Sequence, residues 1–217
     1  MKKYITAFII SIAFLSGCGN NNNNGFIEQH REANFEEKIM SWLSDLYAYQ
    51  ATANITYISN KNINEYVIQH VATASGKYFI EVIEPQHVAG SVTISDSQNI
   101  IQVHRGLNHR VELGNASENE TKERTSLLLT NFAQFFLSST DATITQEDGI
   151  ATLTVGVDSG NAYIDSISLV ITDDFVPISL TTLDVNNDQR IIVEYIDFVS
   201  NPELDVSIFE ISQDNDN

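Results

Sequence analysis

From residue 34 onward the spacing of apolar positions changes several times, and each spacing predicts an element. Phe35, Ile39, Trp42, Leu43 and Leu46 recur at three and four residues, which paints one stripe on a helix. Asn34 with Glu37 three residues later supplies a capping box for its start, and its end is expected near 47–49. Segments rich in β-branched and aromatic residues follow at 53–58, 65–73, 77–83, 91–96 and 99–104. Turn residues such as Ser75-Gly76 and Asp96-Ser97 separate them, so an antiparallel meander is expected. After a polar stretch at 114–122, a second helix is predicted over 125–138. Leu128, Leu129, Phe132, Phe135 and Phe136 cover more than one of its faces, so it must be buried on several sides. Strands then return at 143–145, 150–157, 163–172, 178–185 and 189–198, joined by short turns at 147–149, 159–161 and 186–188.

Roughly ten strands and two helices therefore emerge, with no internal repeat. The fold class is α+β and mostly β. A sheet of that size curls, which predicts an incomplete antiparallel barrel with an amphipathic opening helix and an apolar second helix plugging the concave face. Leu128, Phe132, Phe135, Phe136, Phe79 and Phe198 head the apolar set, with Tyr78, Tyr163 and Phe209 beside them. These side chains either line a lipid cavity or fill an ordinary core, and the sequence leaves both open.

Ahead of the domain the pattern is of another kind. Lys2 and Lys3 precede an apolar run at 5–15, and small Ser16 and Gly17 stand before Cys18, the only cysteine. That is the pattern of a bacterial lipoprotein signal, and the run is too short to remain as a membrane span. Cys18 is expected to carry diacylglycerol at the outer face of a membrane, with a further acyl chain making the anchor durable. Five consecutive asparagines within 19–25 read as a solvated tether. The expected organisation is a signal at 1–17, lipidated Cys18 with its tether at 18–33, the barrel domain at 34–212 and an acidic tail at 213–217.

Charge narrows the partners. The 217 residues include 29 acidic and 11 basic side chains, for a formal net charge of −18 that becomes two units more negative once Lys2 and Lys3 leave. Such a surface repels nucleic acid and anionic lipid headgroups, so the membrane is expected to hold the protein through Cys18 rather than through a basic patch. A single cysteine permits neither an internal disulfide nor a thiolate metal cluster. His30, His70, His87, His104 and His109 include no pair with metalloprotease spacing. His104-Arg105 and His109-Arg110 bracket a hairpin tip, read as a solvated turn in preference to a basic recognition loop. The stretch from Asp184 to Asp188 resembles a calcium loop, but Gln189 stands where that loop needs glycine and Tyr195 where it needs glutamate. A hairpin turn is expected there instead. No nucleophile elbow accompanies the serines, so no catalytic residues, metal or cofactor are expected.

Particular segments carry a family resemblance. They are the helix at 35–46, the run Gly76-Lys77-Tyr78-Phe79-Ile80-Glu81-Val82 with Glu84-Pro85, the segment at 91–96, and the closing run from Asn201-Pro202 to Ile208-Phe209. Together they resemble the LolA-like family, which includes lipoprotein carriers, their membrane-anchored receptors and mycobacterial lipid-binding lipoproteins. Ser97 stands where that family commonly has glycine. The Asn-rich tether and the acidic domain further resemble germination lipoproteins of low-GC Gram-positive spore formers. The resemblance implies an open barrel and a non-enzymatic protein on the outer face of the cell or forespore membrane. It also implies a protein partner, a cortex-modifying N-acetylmuramoyl-L-alanine amidase. The alternative function it implies is a carrier or receptor for lipids or lipoprotein acyl chains.

Overall fold

The structure is a computed structural model that describes residues 34–107, 109–115, 127–158 and 163–210. The signal, Cys18, the tether, the turn at 159–161 and the acidic tail lie outside the described residues. The described ones fall within a single compact unit, Ala33–Asn217.

Helix α1 (Phe35–Asp45) starts where the capping box places it: Asn34 Oδ1 accepts the Glu37 amide at 2.8 Å, and the Asn34 amide donates to Glu37 Oε2 at 3.0 Å. It ends earlier than the apolar spacing suggests, because strand β1 (Ala48–Ile58) already claims the chain. Tyr49 pairs with Ser200 on one side and Ala72 on the other, so it belongs to the sheet rather than to the helix. The chain then meanders through β2 (Ile63–Thr73), β3 (Lys77–Glu84), β4 (Ser91–Asp96), β5 (Asn99–His104) and β6 (His109–Asn115). The sixth strand escapes the hydrophobic pattern because Arg110, Val111 and Glu112 are exposed and Leu113 alone of its described side chains is half-buried. Helix α2 (Leu129–Ser138) follows, and β7 (Thr143–Glu147), β8 (Ile150–Gly156), β9 (Ser166–Thr172), β10 (Pro177–Leu183) and β11 (Gln189–Ser200) form a second meander.

All eleven strands make one antiparallel sheet in the order β6-β5-β4-β3-β2-β1-β11-β10-β9-β8-β7. The first and last strands of the domain meet at its centre, along β1 and β11. β6 and β7 are the two unpaired edges among the described residues, so the barrel is incomplete, as expected. The chain must pass from one edge to the other between β6 and β7, and α2 makes that crossing, touching α1, β2 and β8.

The core lies where the helices meet the second meander. Ile39, Leu43 and Leu46 of the α1 region and Leu129, Phe132, Ala133 and Phe136 of α2 pack with Leu153, Val155, Ile167, Leu169, Ile171, Leu180 and Val193. Each large aliphatic or aromatic side chain among them contributes about 1.5–3 kcal/mol on burial. Phe35 and Trp42 stack on Phe175 in the β9–β10 turn, with ring centroids 6.0 and 6.1 Å apart. The C-terminal 3-10 turn η1 (Val206–Phe209) packs on β3 and β4 and buries Phe209. Phe209, Val71, Val92 and Ile101 are buried outside the main core, and strand alternation puts these sheet residues on the face opposite the helices. The closing segment therefore seals the back of the sheet.

Candidate functional site

The helices fill one half of the trough and leave the other half open. Over β1 to β6 the concave face bounds a cavity of about 490 Å³, with Leu127 and Leu128 closing the end beside α2. Period-two alternation selects its lining. Ile55 and Tyr57 come from β1, Asn64, Tyr66, Ile68 and His70 from β2, and Tyr78, Ile80 and Val82 from β3. Thr93 and Gln102 continue the row on β4 and β5. The register sets these side chains next to one another, with Tyr57 opposite Asn64, Ile55 opposite Tyr66, Ile80 opposite Thr93 and Thr93 opposite Gln102. The floor is apolar, while Asn64 and Gln102 are exposed.

A buried polar chain ties this wall to α2. The Leu129 amide donates to Tyr49 Oη at 3.3 Å, and Tyr49 Oη lies 3.3 Å from His70 Nδ1. Which of Tyr49 Oη and His70 Nδ1 donates follows the imidazole tautomer, since the phenol both donates and accepts. Burial lowers the His70 pKa to about 3, so the imidazole is neutral. Burial likewise pushes the Tyr49 phenol well above its ordinary value, against the smaller opposing effect of the Leu129 amide, and raises Tyr195. The rings are clamped: His70 stacks on Tyr195 at 5.9 Å, and Tyr49 stacks on Phe198 at 5.6 Å. The wall and the start of α2 thus behave as one packed assembly.

The apolar set read from the sequence is divided by the fold. Leu128 is buried and borders the cavity. Phe132 and Phe136, with ring centroids 5.6 Å apart, belong to the core, and Phe135 is half-buried against it. Phe198 is half-buried against the core, where it packs on Tyr49 and Tyr195. Phe79 stands apart, since its neighbours Tyr78 and Ile80 face the cavity and its own ring lies under the Arg105 guanidinium at 6.0 Å. Cys18 lies outside the described residues. The sequence pattern does not single out the lining residues Asn64, Tyr66, His70 and Gln102 as a group. Their signal is the shared parity of Asn64, Tyr66, Ile68 and His70 along β2.

The two loops weighed for chemistry are structural. Asp184 Oδ1 accepts the amides of Asn186 and Asp188 at 2.8 and 2.9 Å, and its other oxygen accepts Arg190 Nε at 2.8 Å, which makes the segment a braced hairpin turn. Arg105 pairs with Glu81 at 3.1 Å beside the β5–β6 turn, where the Gly106 amide donates to His104 Nδ1 at 3.2 Å.

An open antiparallel trough, half plugged by two helices, is the incomplete-barrel architecture that the sequence resemblance implied. The sequence matches the family described as Sporulation protein YdcC-like over residues 1–209, and the chain belongs to that family. Solved structures are similar to it at low identity. One is a chain from the complex of the CwlD amidase from Clostridioides difficile with the GerS lipoprotein, at 24% identity and TM-score 0.49, covering 79% of this chain and 98% of that one. Another is the LolA superfamily protein NE2245 from Nitrosomonas europaea, at 12% identity and TM-score 0.42, covering 80% and 97%. A third is an uncharacterized conserved protein from Thermus thermophilus, at 11% identity and TM-score 0.49, covering 82% and 96%. No curated protein sequence matches significantly.

Proposed function

We propose that this chain is a membrane-anchored, non-enzymatic lipoprotein of the sporulating cell that acts by binding another envelope protein. Membership of a sporulation family over residues 1–209 carries this reading, because the matched region includes the lipoprotein-like segment ending at Cys18 as well as the domain. Tethered to one membrane face, the domain meets partners on that face at high effective concentration, so modest affinity suffices. A cortex-modifying N-acetylmuramoyl-L-alanine amidase is the partner class that the sequence resemblance supports. β6 and β7, edges with no strand partner among the described residues, offer main-chain groups for such a contact.

A specific observation favours a second reading. The cavity of about 490 Å³ lies within the range of small-molecule sites, as a carrier of acyl chains requires. Affinity capture of the protein from sporulating membranes, with mass spectrometry of both proteins and lipids, separates the two. Recovery of an amidase whose activity falls, at constant abundance, when this protein is deleted is the expected result. Stoichiometric lipid without a protein partner would establish the carrier instead.

A further inference from the structure

We propose that the open half of the trough binds a short, uncharged saccharide, a ligand that goes beyond the protein partner and does not depend on which partner it is. The first ground is electrostatic. The chain carries a formal charge of −18, yet among the described residues no Asp, Glu, Lys or Arg lines the cavity. An anionic headgroup or carboxylate would enter against an acidic field and meet no cation from these residues inside. The imidazole of His70 is neutral as well and adds no charge.

The second ground is the supply of uncommitted hydrogen-bonding groups. Asn64, Tyr66, Ser91, Thr93 and Gln102 all line the cavity, and none makes a side-chain hydrogen bond to another described residue. A hydrocarbon chain laid over them would strip their water and return nothing, a cost incurred at every stranded group. An extended peptide fits no better. β1 to β5 are interior strands whose backbone groups are already paired with one another, so a peptide on their face could not extend the sheet and would bring two unmatched polar groups per residue.

A pyranose ring has the complementary form, with an apolar C–H face and a rim of hydroxyls that both donate and accept. Tyr66 and Tyr57 stand edge to face at 5.9 Å over the aliphatic floor and present aromatic surface to such a face. The two amides and two aliphatic hydroxyls offer donors and acceptors to the rim. The cavity of about 490 Å³ has room for more than one sugar ring.

Isothermal titration of the whole chain in phosphatidylglycerol vesicles tests the proposal with chitotriose and cellotriose as neutral probes, trigalacturonate as the anionic control and lysophosphatidylcholine as the acyl control. A neutral trisaccharide should bind one to one, with trigalacturonate weaker by about tenfold. Tyr66→Ala and Gln102→Leu should each weaken the neutral sugar by about tenfold. Gln102 is exposed, so its replacement leaves the core intact, and circular dichroism verifies the fold of both variants. Three results would each overturn the proposal: no saturation by either neutral sugar at millimolar concentration, equal binding of the anionic sugar, or lysophosphatidylcholine uptake that excludes the sugars.

Discussion

Asn201 and Tyr47 are joined twice: Asn201 Oδ1 accepts the Tyr47 amide at 3.0 Å, and the Tyr47 hydroxyl donates to the Asn201 carbonyl at 3.3 Å. The same Oδ1 accepts the Ala48 amide at 3.1 Å, while Nδ2 donates to the Asp45 carbonyl at 2.9 Å. One side chain at the end of β11 therefore closes α1 and starts β1. It does so with φ near +50°, a left-handed conformation that asparagine tolerates better than most residues.

Asn201→Ala should cost about 2–3 kcal/mol, since it removes three hydrogen bonds and places a less tolerant residue at positive φ. Asn201→Gly relieves the backbone but not the bonds, so it should recover only a fraction of the loss. Urea midpoints of the two variants measure the split, and equal midpoints for both variants and the parent would show that the clamp contributes nothing.

Phe209 is the anchor of the closing turn on the back of β3 and β4. Phe209→Ala should destabilise the domain by about 3 kcal/mol, a large share of the ~5–15 kcal/mol that a domain of this kind possesses. Because the closing turn packs on β3 and β4 while Asn201 bonds to Asp45, Tyr47 and Ala48, the loss should add to that of Asn201→Ala within about 0.5 kcal/mol in the double variant. Urea unfolding of the two single variants and the double variant checks both figures.

What the sequence shows and what it hides follow from how each element is specified. α1 is legible because its cap and its apolar stripe are local, and most strands are legible because alternation is local. β6 is not, since an edge strand with exposed Arg110 and Glu112 has little burial to advertise it. The early end of α1 is hidden for another reason, as the groups that stop it sit on Asn201, distant in sequence. The trough is legible as a concave apolar face. Its division into a plugged half and a polar-lined half is not, because that depends on where α2 lands between β2 and β8. Phe79 illustrates the limit of composition: it sits between two cavity residues, and parity alone sends it to the other face.

Cys18→Ala addresses attachment. The variant should be released from membranes or remain unprocessed, because the run at 5–15 is too short to anchor the chain permanently. Membrane fractionation with a mobility assay for processing reads the result, and a variant that is processed and retained as before would remove lipidation from the picture.

His70 gives the domain a distinctive pH dependence. Its folded pKa of about 3 lies below the ordinary value of 6.5, so the unfolded chain binds a proton in that interval and the folded chain does not. Stability is therefore full above pH 6.5 and declines as the pH falls, by about 1.4 kcal/mol for each pH unit down to about 3. Asp184, held below the usual carboxylate range first by the hydrogen bond from Arg190, also loses stabilisation on acidification, but only below its ordinary value of 3.8. Between pH 6.5 and about 4 the slope accordingly isolates histidine from that carboxylate. His70→Gln retains a side-chain amide able to donate to or accept from the Tyr49 hydroxyl while removing the titration, so urea midpoints across this interval should be much flatter for the variant than for the parent. Parallel slopes would mean that His70 is protonated in the folded protein, and the neutral chain from Leu129 through Tyr49 to His70 would then be wrong.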